Sequence, residues 1–256
     1  MLAAMILTVM TLLATGEAVA PPPAEIDAAL RAIEAAGDDL HAFTATVASR
    51  KDDALLGRKD IRTGSLVYEA NEEQPRRFAV DFDVRIVNRR RSEESKRIIF
   101  DGSWLVERDD ASKQFIKRQI VAPGDTADPM RLGGSFPLPI GQKRDDVLKR
   151  YSVELLPGVP DTFVVPKPDG MNLVGLRLTP REGTVKAKDW SAIDLWYDGT
   201  TWLPIGVIAT KGNGDCRRIR LTNMKQHETL PEASKQLLSI NEPGEGWSVD
   251  VRPWTE

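Results

Sequence analysis

A chain of 256 residues with 41% apolar side chains is long enough to bury a sizeable core, and all-β domains of this length are commonly single. With 35 Lys and Arg against 38 Asp and Glu, the net charge of −3 excludes the broad cationic character expected of a nucleic-acid or membrane-surface binder. A lone cysteine, Cys216, excludes an intrachain disulfide.

Leu2 to Ala14 form an uncharged apolar run. It is shorter than the roughly 20 residues that span a bilayer, and Ala18-Val19-Ala20 ahead of Pro21-Pro22-Pro23 fits the small-x-small cleavage rule. Residues 1–20 are therefore expected to be a secretory signal peptide cleaved after Ala20, and residues 21–256 a single domain. No Lys or Arg precedes the run, which leaves retention as an anchor open.

Next, Ala24 to Ala36 place Ile26, Leu30 and Ile33 on one helical face, and Gly37 closes the pattern. The period then changes to two. Phe43, Ala45 and Val47 alternate with Thr44, Thr46 and Ala48, as in a half-buried strand. Further strands are expected at Gly64–Glu69, Arg77–Val87, Lys96–Phe100, Ser103–Arg108, Gln114–Ile120, Val174–Pro180, Ala192–Tyr197, Ile205–Lys211 and Arg217–Met224. The turns Asp101-Gly102, Asp198-Gly199 and Gly212-Asn213-Gly214-Asp215 tolerate the positive φ of tight hairpins, so the strands should form an antiparallel meander.

One stretch interrupts it. Between Val121 and Tyr151 apolar residues alternate with prolines, as in Phe136-Pro137-Leu138-Pro139-Ile140, before a helix-like Asp145 to Arg150, and a packed loop with short helices over the sheet is expected. Arg85 to Arg97 and Pro157 to Met171, rich in charge or proline, read as exposed hairpin excursions.

The parts of an enzyme are missing from the pattern. His41 and His227 have no metal-ligand spacing partner, and no Gly-rich loop ends in the Lys-Ser/Thr step that cradles phosphate. The pairs Asp38-Asp39, Asp109-Asp110 and Asp145-Asp146 read as solvated turn residues rather than acid-base dyads. The run Arg89-Arg90-Arg91 is followed by Glu93 and Glu94 without interleaved aromatics, so it reads as a solvated hairpin tip. Arg217 and Arg218 could activate the Cys216 thiol; a plain strand position is the simpler reading. No catalytic residue, metal or cofactor is expected.

What remains is an apolar excess on one face of many strands: Phe78, Val80 and Phe82, Ile98 and Phe100, Leu176 and Leu178, Leu195 and Tyr197. Periodicity alone fits two solutions, a half-closed sheet around a hollow or a filled sandwich core.

The order of motifs favours the first. After the helix come His41-Ala42-Phe43-Thr44-Ala45-Thr46, Gly64-Ser65-Leu66-Val67-Tyr68, Gln74-Pro75-Arg76-Arg77-Phe78-Ala79-Val80, Ile99-Phe100-Asp101-Gly102-Ser103-Trp104-Leu105 and Leu178-Thr179-Pro180. From Ile26 to Asn223 this series resembles the outer-membrane lipoprotein carrier family, the LolA-like proteins. The resemblance implies a mainly β fold, an incomplete antiparallel barrel whose apolar concavity is lidded by helices and a loop. It implies a soluble periplasmic monomer that shelters lipoprotein acyl chains, or another lipid, between an inner-membrane donor and an outer-membrane acceptor. By position, Phe78, Val80, Phe82 and Phe100 would line the hollow, with Phe136, Leu138 and Ile140 in the lid loop. Gln74, Pro75, Arg76 and Arg77 would stand at the step linked with lid closure and transfer. Here the chain departs from the family, with Gln74 where an arginine often precedes the proline. A polar substitution at Val80 or Phe82 is expected to weaken lipid loading while the fold survives. The alternative is a non-transporting envelope interaction or sensor module on the same scaffold.

Overall fold

The structure is a computed structural model that describes residues 23–71, 74–122, 139–158, 161–165, 170–183 and 190–254. The expected leader, and Phe136 and Leu138 of the expected lid loop, lie outside the described residues.

Helix α1 (Ala24–Asp38) forms where the 3.6-residue period places Ile26, Ala29, Leu30, Ile33 and Gly37 on one buried stripe, and Glu25 and Asp27 in its first turn suit the positive end of the helix dipole. Twelve strands follow among the described residues: β1 (Ala42–Asp53), β2 (Arg58–Asn71), β3 (Gln74–Val87), β4 (Arg90–Phe100), β5 (Trp104–Asp109), β6 (Gln114–Gln119), β7 (Tyr151–Leu156), β8 (Leu173–Pro180), β9 (Ala192–Asp198), β10 (Pro204–Thr210), β11 (Cys216–His227) and β12 (Ser248–Arg252). Helix α2 (Arg144–Arg150) runs directly into β7, and α3 (Glu232–Lys235) lies between β11 and β12.

All the strands belong to one sheet, ordered β12-β6-β5-β4-β3-β2-β1-β11-β10-β9-β8-β7. Neighbours are antiparallel except β12, which pairs parallel with β6. Consecutive hairpins build two wings, β1 to β6 and β7 to β11, and the long-range β1–β11 pairing joins them, Val47 opposite Leu221. The outermost strands β7 and β12 do not pair with each other, so the sheet is open, as the incomplete barrel requires.

Pleating divides the side chains between two faces. One face, called inner here, packs Phe43, Leu66, Phe78, Val80, Ile98, Leu176, Leu195, Val207 and Ile219 against the α1 stripe in a single buried cluster. The outer face has two smaller covers. Leu230, Leu237, Leu238, Ile240 and Trp247, from the segment around α3, pack on Ala42, Val67, Ala79, Ile99, Val106 and Phe115. On the other wing, Phe163, Val164 and Val165 pack against Trp196.

That second cover corrects the expectation of an exposed excursion at 157–171, because Val164 and Val165 are buried. Glycine makes the fit possible: a Cβ on Gly206 would lie 2.0 Å from Val164 Cγ1. Asp161 anchors the segment to Arg218 at 3.2 Å, and the Phe163 ring lies under the guanidinium groups of Arg50 and Arg220.

Candidate functional site

The inner face is apolar along its middle and polar at both ends. Phe78, Val80, Phe82, Phe100 and Ile140, all expected near the hollow, come together in the inner cluster, each no more than 3% exposed. Cross-strand register explains the grouping. Phe78 lies opposite Tyr68 and Phe100, and Val80 opposite Leu66 and Ile98, so neighbouring strands present a continuous apolar row. Phe43 stacks on Tyr68 at 5.3 Å, and Phe78 and Phe100 meet at 5.8 Å.

Sequence reasoning recognised α1 as amphipathic and the family resemblance implied helices over the concavity, which is where its stripe lies. Its Ile26, Leu30 and Ile33 occupy the inner face, together with Ile140 and with Val147 of α2. The face is thus filled by the protein's own apolar side chains. Val80 has no exposed surface, so Val80→Asp would strand a carboxylate in this cluster and cost stability, contrary to the expectation that the fold survives.

At one end of the face the apolar row gives way to Ser49, Arg62, Lys96, Glu107 and Arg217, which surround a pocket of about 80 Å³ beside Phe82 and Ile98. Its charges are paired, Lys96 with Glu107 at 3.4 Å and Arg62 with Glu94 at 2.9 Å. Burial pushes the Arg217 guanidinium below its usual range.

At the other end Arg76 clips three elements together. From β3 it donates through Nη1 to the Gly141 carbonyl at 3.3 Å and through Nη2 to Asp38 at the end of α1 at 3.4 Å. The backbones of α1 and the segment after Ile140 touch here, since a Cβ on Gly37 would lie 1.9 Å from Gly141 Cα. Arg144 of α2 makes a second tie, pairing with Asp27 while its backbone N–H donates to Glu34 at 3.2 Å. Outside α1, a groove of about 380 Å³ is lined by Ala32, Ala36, Leu40 and Trp202.

Of the other residues at the expected transfer step, Arg77 is engaged along the sheet by Glu69 on β2, at 2.9 Å from Nε. Gln74 and Pro75 open β3, with Gln74 opposite Asn71.

Two of the tyrosine hydroxyl groups within the inner cluster are in different states. Tyr197 donates to the Pro139 carbonyl at 3.3 Å, and burial pushes its phenol far above the usual value. The Tyr68 hydroxyl is buried without a hydrogen-bond partner, a cost of about 1–3 kcal/mol. Burial raises its pKa as well, and the charges of Arg76 and Asp38 reach it.

The remaining polar candidates are engaged locally. His41 is exposed, and His227 Nε2 lies 3.0 Å from Thr44 Oγ1. Asp109 caps a turn through the Ser112 N–H, and Asp110 pairs with Arg108. Cys216 opens β11, where burial raises its thiol pKa over the opposing pull of Arg218. Among the described residues no group of three or more His, Cys, Asp or Glu side chains is arranged to hold a metal ion, and no helix is long and apolar enough to cross a membrane.

No family model and no curated protein sequence matches the chain. Solved structures do. MucB aligns at a TM-score of 0.51 with 15% identity over 88% of this chain and 66% of that one. An uncharacterized conserved protein from Thermus thermophilus aligns at 0.47 with 13% identity, over 89% of this chain and 99% of that one. A LolA superfamily protein from Nitrosomonas europaea aligns at 0.34 with 16% identity, over 81% and 96%. At these identities the likeness is one of fold, and function has to be argued from the site. A helix, a hairpin meander and a covered apolar face, following one another in the order that the motif series implies, give this chain a LolA-like fold.

Proposed function

We propose that this protein is a periplasmic lipid carrier that shelters lipoprotein acyl chains, or another lipid, on the inner face of its sheet and passes them towards the outer membrane. On this reading residues 1–20 direct export and are removed, and residues 21–256 work as one monomeric domain between an inner-membrane donor and an outer-membrane acceptor. The work is done by burial, without catalysis or cofactor.

The observation that carries the reading is the cover of the inner face. A long apolar face spread over both wings of the sheet is closed by one amphipathic helix and short segments, tied at polar rims by Arg76 and Arg144. Each methylene kept from water is worth about 0.8 kcal/mol, so an acyl chain of about 16 carbons needs a replacement for roughly 12 kcal/mol of membrane burial. Ile26, Leu30 and Ile33 provide the same chemistry in the unloaded protein. Loading then exchanges helix side chains for cargo, and release reverses the exchange. The Arg76 ties are long and partly exposed, so opening them costs little.

A second reading is favoured by how fully the face is packed: Phe78, Val80 and Phe100 are at most 1% exposed. A permanently filled core would suit an envelope interaction or sensor module. Native mass spectrometry of protein purified gently from its own envelope separates the two. Co-purified lipid or acylated protein in defined stoichiometry is the expected result. A bare mass with no uptake of added acyl probes would reject the carrier in favour of the module.

A further inference from the structure

Tyr68 stands on β2 at the centre of the apolar row, opposite Phe43 on β1 and Phe78 on β3, with 0% of its surface exposed. Its hydroxyl is the one buried, unpartnered side-chain polar atom of the inner cluster among the described residues. Others lie elsewhere: Asp52 Oδ1 and Arg218 Nε belong to the ion pairs that anchor Asp161, and Trp196 Nε1 lies in the outer cover. The comparison with Tyr197, whose hydroxyl has the Pro139 carbonyl as acceptor, shows that this face can satisfy a phenol where the fold alone requires it.

Buried hydroxyls almost always find an acceptor, so one left over on an apolar face that α1 vacates on loading points to an acceptor that the cargo brings. An acyl chain brings one. The carbonyl oxygen of its ester or amide link accepts hydrogen bonds and, in an ester, comes with no donor that would itself need satisfying. A plain alkyl chain brings none.

We propose that the Tyr68 hydroxyl donates a hydrogen bond to the carbonyl oxygen at the head of a bound acyl chain, so that the protein selects acyl over alkyl cargo. The carbonyl then sits near the Arg76 clip, and the tail runs along Leu66, Val80 and Ile98. This rests on the carrier reading and adds the linkage chemistry of the cargo.

The test compares 1,2-dipalmitoylglycerol with its dihexadecyl ether as competitors for a fluorescent apolar dye on the wild-type protein and Tyr68→Phe. The expected result is a wild-type preference of about tenfold for the ester, the worth of one buried hydrogen bond. In Tyr68→Phe that preference falls below about twofold, the ether affinity is unchanged, and the unfolding midpoint stays level or rises because an unsatisfied hydroxyl has been removed. Equal wild-type affinities for ester and ether overturn the inference and leave the carrier reading intact. An ester preference that persists in Tyr68→Phe also overturns it. Failure of the wild-type protein to bind either lipid rejects the carrier reading itself.

Discussion

Leu30 tests whether α1 is a displaceable cover or a fixed part of the core. It is 2% exposed, between Ile26 and Ile33 on the stripe that fills the inner face. Leu30→Ala should remove about 2–5 kcal/mol of packing, since the lost methyl groups leave a cavity that the sheet beneath cannot collapse to fill. If α1 exchanges with cargo, that loss falls on helix docking. The helix becomes a weaker competitor, and apparent affinity for an acyl dye rises. With each 1.4 kcal/mol worth a factor of ten, the rise should be about thirtyfold to several thousandfold before other costs limit it. The assay is a fluorescence titration with the dye, read beside backbone hydrogen exchange at the α1 amides, which should speed up while the central strands stay protected. Dye affinity at or below wild type, with the whole 2–5 kcal/mol appearing in global unfolding, would refute the exchange of helix for cargo.

The rim ties can be tested separately. Arg76→Ala removes two long contacts of a partly exposed side chain that hold the cover closed, about 1–2 kcal/mol together, and should raise the apparent affinity for an acyl dye about five- to thirtyfold in a fluorescence titration with little change in the urea midpoint. An unchanged affinity would count against the clip. Hydrogen bonds from Arg31 and then Arg144 hold the Asp27 carboxyl below its ordinary 3.8. A depressed folded-state value means the tie is present above pH 3.8 and is lost as pH falls through that lower value, so dye uptake should rise in acid below pH 3.8. Asp27→Asn should lack this acid step, and its persistence in the variant would assign it to other groups.

Much of the architecture was legible because it is written locally. Alternation at Phe43, Ala45 and Val47, and turn residues at Asp101-Gly102 and Asp198-Gly199, identified hairpins that the register contains, with Phe100 opposite Leu105 and Pro204 opposite Tyr197. The α1 stripe was equally plain. Strands β7 and β12 were not expected. Each is an edge strand, and β12 is exposed on both faces, at Ser248 and Arg252 on one and at Val249 and Val251 on the other, so neither shows the alternation that burial imposes. Pairing of β12 with β6 also depends on a segment more than a hundred residues away.

The site divided in the same way. By itself the sequence determined which side chains of each strand share a face, because a period of two is a property of the local backbone. Only the tertiary structure decided what covers those faces. It laid α1 over the inner row, brought Val164 onto Gly206 outside, joined Arg76 to Gly141 and Asp38, and left Tyr68 without the acceptor that Tyr197 has. Such contacts depend on where distant segments come to rest in space, and no local periodicity carries that information.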